Sequence, residues 1–206
     1  ENQFGLYFRK WLVDAGLFKE NANPTTNEVN VYANSMQRCI ATANYFKTAL
    51  FPVGDVKVNH RFVPSKMDPV FFPRLTKTSK SFKAQALKEI AAMGGKKGIL
   101  GINEDLKECY EITAKVLDLK DSPACKQDNL CAFDNYNTQI ILEKGDEPRM
   151  KGSLKDANTC SDALILQYYE EPDAKKAAFG HNITLTDWAK IAKIKDVYGD
   201  VLFTAP

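Results

Sequence analysis

The sequence has 206 residues, enough to bury a substantial core in one domain or in a domain and part of a second. Its 44% hydrophobic and 26% charged residues are ordinary globular composition and exclude a disordered tail. The formal charge is only +2, no basic run exceeds Lys96-Lys97, and no apolar stretch approaches the roughly 18 to 20 residues of a membrane span, so neither nucleic acid nor a membrane is an expected partner. The opening residues, Glu1-Asn2-Gln3-Phe4, do not read as a signal peptide.

In chain order, Phe4, Phe8, Trp11 and Ala15 recur at helical spacing before Gly16, which predicts an amphipathic first helix. Val29 to Ala33 alternates and is β-rich, a short strand. Asn34-Ser35 offers N-cap chemistry to a helix with the stripe Met36, Cys39, Ala43, Phe46 and Leu50, ended by Pro52-Val53-Gly54. From Asp55 to Thr78 the chain is punctuated by Pro64, Pro69 and Pro73 and reads as a long ordered loop with a strand near Val56 to Val58. Helices are expected over Ser79 to Met93, stopped by Gly94-Gly95, and over Asn103 to Leu119, forming a hairpin. A β-leaning stretch, Tyr136 to Leu142, precedes a turn at Gly145 to Pro148. Ala163 to Tyr169 is apolar almost all round and predicts a central buried helix capped by Ser161 and closed by Pro172. A last helix runs from about Thr186 to Tyr198.

The cysteines are Cys39, Cys109, Cys125, Cys131 and Cys160. Cys125 and Cys131 lie in a polar segment after Pro123 and read as a loop closed by a disulfide, with two free thiols as the alternative; a disulfide implies an oxidising compartment. The remaining three read as buried thiols, with a Cys109–Cys160 pairing left open. No zinc-type spacing occurs, and His60 and His181 stand alone, so no metal or other cofactor is expected.

The most chemically suggestive segment is the strand-to-helix turn from Tyr32 to Arg38. A helix start offers free N–H groups and a positive dipole end, and Arg38 on the first turn adds a planar fork suited to phosphate. By themselves these residues also describe an ordinary cap and a solvated arginine.

The run Val31-Tyr32-Ala33-Asn34-Ser35-Met36-Gln37-Arg38, followed by Ala41-Thr42-Ala43 and Phe51-Pro52, resembles the histidine acid phosphatases, and within them the glucose-1-phosphatase branch rather than the phytases. The resemblance continues through Met67-Asp68-Pro69, Lys120 to Cys125, Glu147-Pro148, Leu166 to Glu170 and Leu202 to Pro206. It implies an α/β fold with a helical second domain, here a mainly α-helical fragment with few strands. Residues 1–54 would be a strand-helix piece of the α/β domain, and residues 55–206 the helical domain with its loop. It also implies a periplasmic enzyme that hydrolyses sugar phosphate monoesters through a phosphohistidine, without metal. The family's nucleophile motif would precede Glu1 and its His-Asp proton donor would follow Pro206. His60-Arg61 and His181-Asn182 fit neither and read as surface or loop histidines.

By the same resemblance Arg38 matches a phosphate-binding arginine, and Asn34 a position lining the pocket. Glu147 matches an acidic residue that reaches over the pocket and restricts bulky substrates; taken alone it is an exposed turn carboxylate. Asp162 corresponds to an acidic rim position in the phytases, with a helix cap or solvated helix start as the alternative. The rival reading is a complete, non-catalytic helical module that binds a phosphorylated ligand or a protein partner.

Overall fold

A computed structural model of the chain describes residues 1–63, 66–72, 74–76 and 78–204. Pro64 and Pro73 of the proline-punctuated loop, and Ala205-Pro206 at the end of the last resembling segment, lie outside the described residues. The chain divides into two units, Glu1–Pro73 and Arg74–Pro206.

In the first unit, helix α1 (Asn2–Asp14) packs along α2 (Gln37–Leu50). Gly5 is the buried residue of α1, and a Cβ there would stand 2.5 Å from the Phe46 carbonyl oxygen. Only glycine lets the two backbones approach this closely. The aromatic stripe lies beside that contact: Phe8 meets Phe46 edge-on with centroids 5.9 Å apart, while Phe4, Tyr7 and Trp11 remain exposed. Arg9 donates to Leu50 O at 2.8 Å and to Glu20 O at 2.7 Å, which satisfies a carbonyl in the last turn of α2.

Strand β1 (Val31–Tyr32) pairs in parallel with β2 (Val58–Asn59), Val31 opposite Val58, and α2 is the crossover between them. Strand β2 finds its partner in β1, and residues 55–63 and 66–72 lie in the first unit.

The second unit is mostly helical: α3 (Lys80–Met93), α4 (Ile99–Asp105), α5 (Lys107–Val116), α6 (Pro123–Asp128), α7 (Ser153–Glu170), α8 (Ala174–Ala177) and α9 (Leu185–Gly199), which continues into a wider π-type turn, Asp200–Thr204. Strands β3 (Gln139–Ile141) and β4 (Arg149–Lys151) form an antiparallel hairpin. One core gathers Ile90, Leu106, Tyr110, Phe133, Leu154 and Ile194; a second gathers Val116, Leu164, Ala177, Trp188 and Ile191. Helix α7 packs on α5 and α9 and is the central helix, as its apolar run predicts, yet Leu166 and Tyr169 on its outer face are exposed.

Two sequence expectations fail here for identifiable reasons. The helix expected over Asn103 to Leu119 breaks at Leu106 into α4 and α5, where Leu106 N–H turns back to Asn103 O. Asn103 is fully buried: its amide donates to Ile99 O, and its Oδ1 accepts from Tyr110 Oη at 2.9 Å and Thr138 Oγ1 at 3.1 Å. The central helix starts at Ser153, not at the Ser161 cap. Its first N–H groups are capped from a distance: Ser153 N–H donates to Asn137 Oδ1 and Leu154 N–H to Thr138 Oγ1. Gly152 precedes it at φ +91°, where a Cβ would stand 2.4 Å from Asn137 O. Ser161 is buried in mid-helix and donates to Ile191 O at 2.6 Å, which joins α7 to α9.

Cys125 and Cys131 form a disulfide around α6, and Cys39, Cys109 and Cys160 are free thiols, so Cys109 and Cys160 do not pair. A sequence separation of 6 closes a small loop, for which chain entropy gives about 2 kcal/mol. Replacing both Cys125 and Cys131 by Ser is expected to lower unfolding stability by about that amount in urea titration. An unchanged midpoint would show that the bridge does not restrict the unfolded chain.

Candidate functional site

Asn34, in the connection after β1, and Arg38, on the first turn of α2, both follow the carboxyl end of β1. Met36, extended at φ −72°, is the N-cap residue of α2, and no side chain caps the helix among the described residues. The Asn34-Ser35 caps expected from the sequence are used otherwise. Asn34 is buried, its Oδ1 accepts from Asp68 N–H at 3.1 Å, and its amide faces Met67 Sδ at 3.8 Å. Ser35, also buried, accepts from Phe62 N–H at 3.0 Å. Both side chains tie Phe62 and Asp68 to the sheet end and leave the first turn of α2 without a side-chain cap. Arg38 is exposed on that turn, with no ion pair among the described residues.

Tyr32 Oη donates to the Asp68 carboxylate, which also accepts from Val70 N–H at 3.0 Å, and the Tyr32 ring stacks on Phe71. The hydrogen bond raises the Tyr32 phenol above its ordinary value, with desolvation and the Asp68 charge adding to it. The same bond, the Val70 N–H and the Arg61 charge hold Asp68 below the usual carboxylate range against the opposing effect of desolvation.

His60 is exposed, with its Nδ1 2.8 Å from Phe62 O, and His181 is a half-buried loop residue with its Nε2 3.0 Å from Asp118 Oδ1. Each ring is thus engaged by its own loop surroundings.

The other two expected site residues lie in the second unit. Glu147 is half-buried on the connection between β3 and β4, and its charge adds to the burial that raises Tyr198. Its neighbours Glu143 and Asp146 are both held by Arg149. Asp162 sits in the middle of α7, paired with Lys195 of α9, which removes its reading as a cap or helix start. Lys195 and Tyr198 lie one turn apart on α9, so Asp162 and Glu147 both flank the C-terminal half of that helix.

A cleft of about 520 Å³ opens beside α5, lined by Tyr110, Ala114, Leu119, Phe133 and Tyr136 and by charges of both signs. It includes none of Arg38, Asn34, Glu147 and Asp162. Its Lys107, Lys115 and Lys120 are balanced by Glu111, Asp118, Asp121 and Asp134, so it has no field that selects anions. The start of α2, with a dipole end and an arginine, does.

Among the described residues no three metal-ligating side chains cluster, and no helix is long and apolar enough to cross a membrane.

The Tyr32–Asp68 pair also makes stability depend on pH in a defined direction. Asp68 titrates lower when folded, so its contribution is present above the unfolded carboxylate range and is lost as pH falls through the depressed value. Tyr32 titrates higher when folded, so its contribution is present below the unfolded phenol value and is lost as pH rises through the raised one. Tyr32→Phe is expected to lower the urea midpoint at neutral pH, with the gap from the parent chain closing at both extremes. A gap of constant size at all pH values would contradict this linkage.

No family model matches the chain. Glucose-1-phosphatase from Providencia rettgeri is 41% identical over 206 residues, 99% of this chain and 48% of the relative; that from Salmonella typhimurium is 35% identical, over 100% of this chain and 48% of the relative. The chain thus spans about half the length of the curated relatives it matches. Among solved structures, Hafnia alvei phytase in complex with tartrate superposes with a TM-score of 0.78 at 22% identity, over 100% of this chain and 50% of that one. The phytase from Citrobacter braakii gives 0.75 at 20% identity, over 98% and 49%. The chain is thus similar along its whole length to about half of a glucose-1-phosphatase and has the fold of about half of a phytase.

Proposed function

We propose that the chain is part of a periplasmic phosphoric monoester hydrolase that acts on small sugar phosphates of the glucose-1-phosphate kind. The supporting observation is the whole-length similarity to glucose-1-phosphatases together with the position of Arg38, on the first turn of a helix that follows a parallel strand. In parallel α/β folds ligands collect outside the carboxyl ends of strands, where the next helix begins. On this reading, the first unit is part of the α/β domain and the second is the helical domain.

Arg38 binds the phosphoryl group through two parallel charge-assisted bonds and stabilises the charge that builds on its oxygens during transfer. The covalent step passes through a phosphohistidine whose histidine, like the proton donor, comes from a part of the protein beyond these 206 residues. Asn34 orders the pocket wall rather than touching the reacting atoms, since its Oδ1 is taken by Asp68 N–H. By the family resemblance Glu147 limits the access of bulky substrates through its size and negative charge, and Asp162, paired with Lys195, takes no part in the chemistry.

In the full-length protein, Arg38→Ala is expected to lower turnover of glucose 1-phosphate about 100- to 1,000-fold; near-normal turnover with near-normal inhibition by phosphate would refute the assignment. The 206-residue chain assayed alone is expected to release no product from an aryl phosphate at acid pH, and turnover by the homogeneous chain would show that it carries its own nucleophile. Glu147→Ala is expected to raise the rate on bulky polyphosphorylated esters relative to small ones, and unchanged relative rates would remove its gating role.

A further inference from the structure

The loop that Ser35 and Asn34 fix in place carries a cluster of cations that the phosphoryl-binding role of Arg38 does not use. Phe62 is the post of this loop. Its N–H is bound to Ser35 Oγ, three residues before Arg38, and its carbonyl faces His60 Nδ1 at 2.8 Å. The Arg61 guanidinium lies 5.5 Å from the centre of the Phe62 ring, and the Lys66 ammonium 4.9 Å from it. Both cations are exposed.

The surrounding charge is one-sided. Between residues 29 and 72 the only acidic side chains are Asp55 and Asp68, against Arg38, Lys47, Lys57, Arg61 and Lys66. Asp68 is fully buried and bonded to Tyr32 Oη and Val70 N–H; its charge offsets part of that of Arg61, but the two form no ion pair within the described residues. Asp55 lies at the opposite end of β2 from this loop. The carboxyl end of the sheet therefore presents Arg61 and Lys66, held on a fixed aromatic plate, beside the helix start that carries Arg38. Two exposed cations gathered on one ring make a local positive field that an anion offsets.

We propose that Arg61, with Lys66, is a specificity-determining group that binds a second anionic substituent on the alcohol portion of the phosphoester, so that the substrate class includes sugar bisphosphates and phosphorylated sugar acids. The proposal rests on the phosphomonoesterase reading of Arg38. Arg38 takes the phosphoryl group that is transferred; Arg61 offers its planar fork to the anion that stays on the sugar. Such a contact is made equally in the ground state and the transition state, so it acts on KM rather than on kcat.

The test uses the full-length protein and its Arg61→Gln variant, with steady-state kinetics on glucose 1,6-bisphosphate, glucose 1-phosphate and p-nitrophenyl phosphate. The expected result is a rise in KM of about ten- to a hundredfold for the bisphosphate alone, with kcat unchanged, and less than about a twofold change for the other two esters. Arg61→Lys, which keeps the charge and loses the fork, is expected to recover part of that rise. Equal losses on all three esters, or no loss on any, would overturn the proposal. Arg38→Ala measured in parallel separates the two readings. If it abolishes turnover of all three esters while Arg61→Gln is silent, only the second-anion site is wrong. If Arg38→Ala leaves turnover intact, the phosphate-binding role of Arg38 fails; if the parent protein turns over none of the three esters, the phosphomonoesterase reading itself fails.

Discussion

Two side-chain oxygens, Asn34 Oδ1 and Ser35 Oγ, organise the end of the parallel sheet on which the functional reading depends. A sheet of two short strands with one hydrogen-bonded crossover has little pairing of its own. Its carboxyl end is held because buried acceptors reach across to the N–H groups of Asp68 and Phe62. An unpaired acceptor buried there would cost roughly 1 to 3 kcal/mol, so the loop and the helix start are fixed together or not at all. With both side chains committed to the loop, the first turn of α2 has no side-chain cap, and Arg38 stands on it, which is what the proposed phosphate site requires. Capping α2 with Ser35 in the ordinary way would have used the same oxygen to close that site.

The second unit uses the same device. Asn103, Thr138 and Asn137 connect α4, α5 and the start of α7 through buried hydrogen bonds, and Ser161 joins α7 to α9. Asn103, Thr138 and Ser161 are buried, and each fixes one arrangement, since any other leaves a donor or acceptor unmatched. The apolar cores on either side supply the driving force for burial but do not select a register by themselves.

Local periodicity made most elements legible. The glycine stop at Gly94, the stripe of α2 and the alternation before Asn34 all correspond to elements found. The disulfide was legible because two cysteines close together in a polar segment have few other uses. What escaped were features decided by distant partners. The start of α7 is set by Asn137 and Thr138, sixteen residues upstream, so no cap stands next to it in sequence. Strand β4 shows only the alternation Arg149-Met150-Lys151, too short to read alone, and exists because β3 offers an edge. Of the expected site residues, Arg38 has a local reason to be named, its place at a helix start, whereas Glu147 and Asp162 are named only through family resemblance: a half-buried turn carboxylate and a mid-helix ion pair carry no local mark of function. Ser35 was read as a cap because its partner, Phe62 N–H, lies 27 residues away.

The most direct measurement is a crystal structure of the full-length protein with a tetrahedral oxyanion such as tungstate. The account predicts the anion at the start of α2, with both Arg38 Nη atoms within about 3 Å of its oxygens and Asn34 and Ser35 still bonded to the 60–72 loop. A bound oxyanion elsewhere, with the Arg38 guanidinium left in solvent, would contradict it.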